Sequence, residues 1–123
     1  MKYKYKVSEA KQFNKHGIDL TIYPTDVATA KMVRVDVVEG HFQEFSDKES
    51  TYIYYIIEGG GTFVLNDERV EASATDMIVI PPKTRIYYFG KMKMVLTVTP
   101  PFKEENEIHH RFVEKNESPY QGL

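Results

Sequence analysis

Short apolar runs broken by turn residues dominate this chain, and no long helical periodicity precedes residue 103. Lys2-Tyr3-Lys4-Tyr5-Lys6-Val7 alternates polar and apolar at every step, which predicts an edge strand over 2–7 with one wet face. Ile18 to Tyr23 predicts a short strand stopped by Pro24, because proline has no N–H to give a ladder. Lys31 to Val38 predicts a longer one, with Val33, Val35 and Val37 sharing a face. Tyr52 to Ile57 is apolar and aromatic throughout, as suits a strand covered on both faces. Gly59-Gly60-Gly61 bends the chain, and Asn66-Asp67-Glu68 makes a tight hairpin between Thr62–Leu65 and Arg69–Ala72. Met77–Ile80, Ile86–Phe89 and Met92–Thr99 complete the series, punctuated by Pro81-Pro82 and Pro100-Pro101. Strands at roughly 8–12-residue spacing belong to a sandwich or a barrel. Ser8 to Lys15 has room for a short helical turn, and the tail 103–123 is polar, with Ile108, Phe112 and Val113 as surface anchors.

Composition narrows the function classes. A chain of 123 residues supports one domain with one core. A 41% apolar fraction with nine Tyr and seven Phe argues for a packed interior. The formal charge is -2, with 16 basic and 18 acidic residues interspersed, so neither a nucleic-acid stripe nor a polybasic membrane patch is present. No apolar run approaches the ~20 residues of a membrane span. Met1 to Val7 lacks the apolar stretch of a secretion signal, and a cytoplasmic location is expected. The absence of Cys excludes disulfides and thiol catalysis.

From Gly40 to Phe102 the chain resembles a cupin. Gly40 and Gly59 fit the two glycines that bound the first cupin motif, and Tyr54-Tyr55-Ile56-Ile57-Glu58-Gly59 is similar to its strand and turn. Asp76-Met77-Ile78-Val79-Ile80-Pro81-Pro82 matches the middle of the second motif. The resemblance implies an all-β fold, a double-stranded β-helix closed into a jelly-roll barrel. It implies a single domain over 1–123, with the barrel core at about 31–102. The departures are as informative. The two histidines of the first motif fall on Ser46 and Lys48, its Glu on Tyr52, and the histidine of the second motif on Ile86. Sliding the first motif by one residue gives Phe45 and Asp47 instead. Thr75, Lys83 and Gly90 replace further motif positions. No three- or four-ligand transition-metal shell can be assembled, so no metal and no cofactor are expected.

Other candidate chemistry is sparse. His109 and His110 read as solvated tail residues, and His41, just after the Gly40 turn, as a surface loop residue. Gly59-Gly60-Gly61 lacks the Lys-Ser/Thr of a phosphate loop. Ser46 has no nucleophile context. If the family's ligand positions face the lumen, alternation places Tyr52, Tyr54 and Ile56 inside, and Ile86 brings Tyr88 with it. Lys48 near the rim could hold an anion. The expected ligand-facing set is therefore Lys48, Tyr52, Tyr54, Ile86 and Tyr88. The same rings could simply fill the barrel, but buried Tyr hydroxyls need partners, which favours a ligand.

The leading expectation is a metal-independent cupin binding a small polar molecule. The alternative is a metal-free isomerase, epimerase or lyase acting on a sugar or carbonyl compound, for which no base can be named. A metal-dependent dioxygenase with rearranged ligands ranks last. A homodimer is expected, through the stripe of Tyr3, Tyr5 and Val7 on the predicted edge strand.

Overall fold

The computed structural model describes residues 2–119. Its strands are β1 (Lys11–Lys15), β2 (Ile18–Ile22), β3 (Lys31–Val37), β4 (Gly40–Asp47), β5 (Thr51–Leu65), β6 (Glu68–Ser73), β7 (Met77–Ile80), β8 (Ile86–Thr99) and β9 (Glu107–Phe112). Among the described residues helix is limited to single 3-10 turns at Val7–Glu9, Glu104–Asn106 and Lys115–Glu117. Among the described residues no helix is long and apolar enough to cross a membrane.

All nine strands belong to one sheet, which curls into the jelly-roll barrel. The long strand β8 is its spine. Met92–Val98 pairs with β3, while Ile86, Tyr88 and Phe89 near the other end pair with β4. Its opposite edge pairs with β5 from Thr51↔Thr99 to Leu65↔Ile86. β5 in turn carries β7 near its start and β6 near its end. The hairpin β1–β2 extends the sheet beyond β3, and β9 closes the far side against β4.

Alternation explains which side chains are inside. Along β8, Met92, Met94, Leu96 and Val98 are buried, whereas Lys91 and Lys93 are exposed. Along β5, Tyr52, Tyr54 and Ile56 are buried, whereas Tyr55 and Ile57 are exposed. β5 cannot keep one register across its length, and the pairing with β8 slips between Ile56 and Glu58. Such a bulge bends a strand and increases its twist. The glycines next to it allow the close approach that follows: a Cβ on Gly61 would stand 2.2 Å from the Phe89 carbonyl oxygen. Asn66 and Asp67 both adopt positive φ (50° and 69°), so the β5–β6 hairpin closes on the two-residue turn whose twist matches the strands.

Four elements differ from the sequence expectations. Where Ser8 to Lys15 had room for a helical turn, only Val7–Glu9 is helical and Lys11–Lys15 is the strand β1, paired with β2. Residues 2–6 form no strand, and Tyr3 is 87% exposed. The edge of the sheet on this side is β1, beside β2, and residues 2–6 do not pair with it. The polar tail contributes a strand, β9, which pairs with β4 along Gln43–Asp47. β4 itself reads as a loop because Gln43, Glu44, Ser46 and Asp47 are polar, yet all four are buried. Their partners explain this. Glu44 sits between Arg85 Nη1 and Arg111 Nε, each 3.3 Å from one carboxylate oxygen. Ser46 Oγ lies 2.8 Å from His110 Nε2, and Gln43 Nε2 lies 3.0 Å from His109 Nδ1. Asp47 Oδ1 accepts from the backbone N–H groups of Glu49 and Ser50. Pairing of this kind offsets the cost of burying polar groups.

Candidate functional site

Inside the barrel lies a cavity of about 700 Å³, within the 300–1,000 Å³ usual for small-molecule sites. Its polar residues converge from distant parts of the chain. His41 comes from the start of β4, Tyr52 and Tyr54 from β5, Lys15 from β1 and Glu107 from β9. The inner faces of β1 and β2 supply much of the remaining wall. A groove of about 470 Å³ near Phe42 and Phe89 lies elsewhere and holds none of these residues.

His41 is 3% exposed, and its ring is fixed by aromatic neighbours. It stacks on Tyr88 with centroids 5.4 Å apart and meets Phe45 edge-on at 5.1 Å. Nδ1 finds no hydrogen-bond partner among the described residues. Burial above all, with His16 and Lys15 nearby, lowers its pKa from 6.5 to about 3, so the imidazole is neutral at physiological pH. Tyr54 and Tyr88 are fully buried, their rings 5.6 Å apart, and Phe63 packs on both. Burial raises the pKa of each phenol, which keeps both protonated. Their hydroxyls are near enough to influence one another's ionisation, yet Tyr88 Oη makes no well-formed hydrogen bond among the described residues. Tyr52 Oη donates to Asp47 Oδ2 at 3.4 Å, and burial raises its pKa as well. Lys15 Nζ bridges both oxygens of Glu107 at 3.1 and 3.2 Å, which places a half-buried ion pair in the cavity wall.

Of the residues expected at the ligand, Tyr52 and Tyr54 line the cavity, and Tyr88 lies directly behind His41. Ile86 is buried in the hydrophobic core and does not line the cavity. Lys48 is exposed in the turn between β4 and β5 and does not reach it either. His41 corrects the surface-loop expectation, because the glycine before it begins a buried strand. Lys15 and Glu107 meet across 92 positions of sequence, and no local pattern marks them.

No family model matches the chain. A stretch of 61 residues is 39% identical to a Methanocaldococcus jannaschii protein, MJ1618, covering 46% of this chain and 49% of that one, so the match spans about half of the relative's length. Among solved structures, Pac13 of Streptomyces, a β-barrel nucleoside dehydratase, is 57% identical. The match covers 98% of this chain and 100% of Pac13, with a TM-score of 0.96. Pac13 variants with Gln for a histidine, or Phe for either of two tyrosines, have been solved with uridine. An RmlC-like cupin from Shewanella frigidimarina shares the fold at 11% identity, with a TM-score of 0.68 over 85% of this chain and 96% of that one.

The chain belongs to the cupin superfamily.

Metal-binding cupins hold their ion on two or three imidazoles and a carboxylate inside the barrel, and this cupin does not fit that group. The residues that the family motif aligns with those ligands are Ser46, Lys48, Tyr52 and Ile86, and of these Tyr52 alone lines the cavity among the described residues. Among the described residues, no three His, Asp or Glu side chains converge to hold an ion. What this cupin offers its cavity is one neutral imidazole, protonated phenols and a Lys–Glu pair.

The depressed pKa of His41 makes this cupin sensitive to acid. The unfolded chain takes up this proton near pH 6.5, whereas the folded chain resists until about pH 3. His41's contribution to stability is thus fully present above pH 6.5 and is lost as pH falls toward 3, at up to about 1.4 kcal/mol per pH unit. Urea unfolding at pH 7 and pH 5 should show a larger drop for the wild type than for His41→Gln. Equal drops would mean that His41 is not held neutral by burial.

Proposed function

We propose that this cupin is a nucleoside dehydratase. One observation carries the reading. The histidine and two tyrosines varied in the uridine complexes of Pac13 fall at the same intervals along the chain as His41, Tyr54 and Tyr88 do here. These three residues are buried together at the cavity, with His41 stacked on Tyr88 and Tyr54 meeting Tyr88 edge-on. A likeness of 57% over the whole of Pac13 supports carrying the activity across.

Dehydration removes a proton from one carbon and a hydroxyl from its neighbour, forming a double bond and releasing water. An imidazole removes such a proton at a useful rate only where an adjacent carbonyl acidifies it. Neutral His41 accepts the proton. The burial that keeps it neutral makes its protonated form a strong acid, so the proton passes readily to the departing hydroxyl. Lys15, held by Glu107, faces the same space with a positive charge suited to the developing oxyanion. The protonated phenols of Tyr52 and Tyr54 offer hydrogen-bond donors to the sugar.

The test is a thermal-shift panel of nucleosides, including uridine and uridines oxidised to a carbonyl on the sugar. Each hit is then incubated with the protein and analysed by mass spectrometry for loss of one water. Binding of nucleosides raises the melting temperature by mass action. If no nucleoside shifts the melting temperature and none is dehydrated, the proposal fails.

Tyr88 should show function and stability in opposition. Tyr88→Phe removes a buried hydroxyl that makes no well-formed hydrogen bond among the described residues, so stability should rise, by about 1 kcal/mol at most. Turnover should fall by about a hundredfold if that hydroxyl serves the reaction. Urea denaturation and initial rates on the same preparation check both. Lower stability with unchanged turnover would mark Tyr88 as core packing only.

A further inference from the structure

Phe13 and Phe102 are 36% and 42% exposed, yet both belong to the wall of the cavity that holds His41 and Tyr54. Phe13 points inward because Lys11, Phe13 and Lys15 share one face of β1, opposite Ile22, Leu20 and Ile18 of β2 in the pairing. Phe102 follows Pro100-Pro101 at the end of β8. Each ring carries an ammonium, with Lys11 Nζ 5.2 Å from the Phe13 centroid and Lys15 Nζ 5.5 Å from that of Phe102. Lys15 is also held by Glu107, whereas Lys11 makes no ion pair with a carboxylate among the described residues. Rings left open in a cavity wall do little for the fold but offer flat apolar faces to a ligand. Each lies beside a cation able to meet a carbonyl oxygen.

We infer that Phe13 and Phe102 form the stacking subsite for the planar pyrimidine base of the nucleoside, with Lys11 at the base's carbonyl edge. The inference rests on the nucleoside reading and assigns the half of the substrate that the reaction does not touch. Stacking on an aromatic side chain is available to any flat base, and the polar edge then selects among them. The sugar is left to His41 and the tyrosines.

The probes are uridine and 5,6-dihydrouridine, which keep the same sugar and the same carbonyl groups. The reduced base is puckered and stacks poorly. Calorimetry should give the wild type about tenfold tighter binding to uridine than to dihydrouridine. Phe13→Leu and Phe102→Leu keep an apolar side chain at exposed positions. Each should weaken uridine binding by about tenfold and narrow the preference over dihydrouridine. Melting temperatures within a few degrees of the wild type would show that the variants fold. If uridine binds and both Leu variants bind it as tightly as the wild type, the stacking subsite is wrong while the nucleoside reading stands. If the wild type binds neither probe and no other nucleoside, the nucleoside reading itself fails.

Discussion

His41→Gln should leave nucleoside binding nearly intact and lower the rate of dehydration by about a thousandfold. Glutamine fills a similar volume and keeps polar atoms where the imidazole stood, but it cannot take up and return a proton. A positioned acid–base group contributes about 10²–10⁴-fold to a rate, and among the described residues His41 is the one imidazole in the cavity wall. Binding should survive because the remaining polar wall and the apolar hairpin face are untouched. The matching variant of Pac13 was solved with uridine in place, which agrees with binding that does not need the imidazole. Initial rates combined with calorimetry separate the two effects. A thousandfold loss of affinity with turnover intact would reassign His41 from proton transfer to recognition.

Phe63→Ala is expected to be the most destabilising of the substitutions considered. Phe63 is fully buried, and its ring lies 5.2 Å from Tyr54 and 4.8 Å from Tyr88. Removing a buried Phe ring costs about 3–5 kcal/mol through lost transfer energy and the cavity left behind. That loss is a large part of the stability of a domain this size. The freed space also lets the two phenols shift, so turnover of the folded fraction should fall at a temperature where the variant is still native. Denaturant midpoints and rates at low temperature test this. A loss under 1 kcal/mol would mean that the core collapses into the gap.

The fold was legible where apolar residues follow the strand period. β7 is Met77–Ile80 as expected, and Val33, Val35 and Val37 are buried on one face of β3. β8 reads as two runs because Gly90 and Lys91 interrupt its pattern, although the backbone continues through both. β4 was hidden by its polarity. Its burial depends on Arg85, Arg111, His109 and His110, which lie far along the sequence and cannot be assigned to it in advance. The same reasoning divides the site. Tyr52, Tyr54 and Tyr88 follow from alternation on strands that were already clear. His41 inherits the illegibility of β4, and Glu107 that of a strand with mostly exposed side chains. A lyase was an open alternative from the sequence for want of a base, and His41 is the residue that fills that role in the proposal.

The Lys15–Glu107 pair has a consequence for how this barrel comes into being on the ribosome. Its carboxylate emerges some 92 residues after its lysine, so the two charges cannot meet until β9 has been made. Until then Lys15 has no counterion on β9, and β4 waits with Glu44 and Ser46 facing partners not yet made. The cavity wall is thus completed only once β9 is in place, after most of the sheet has had the chance to form.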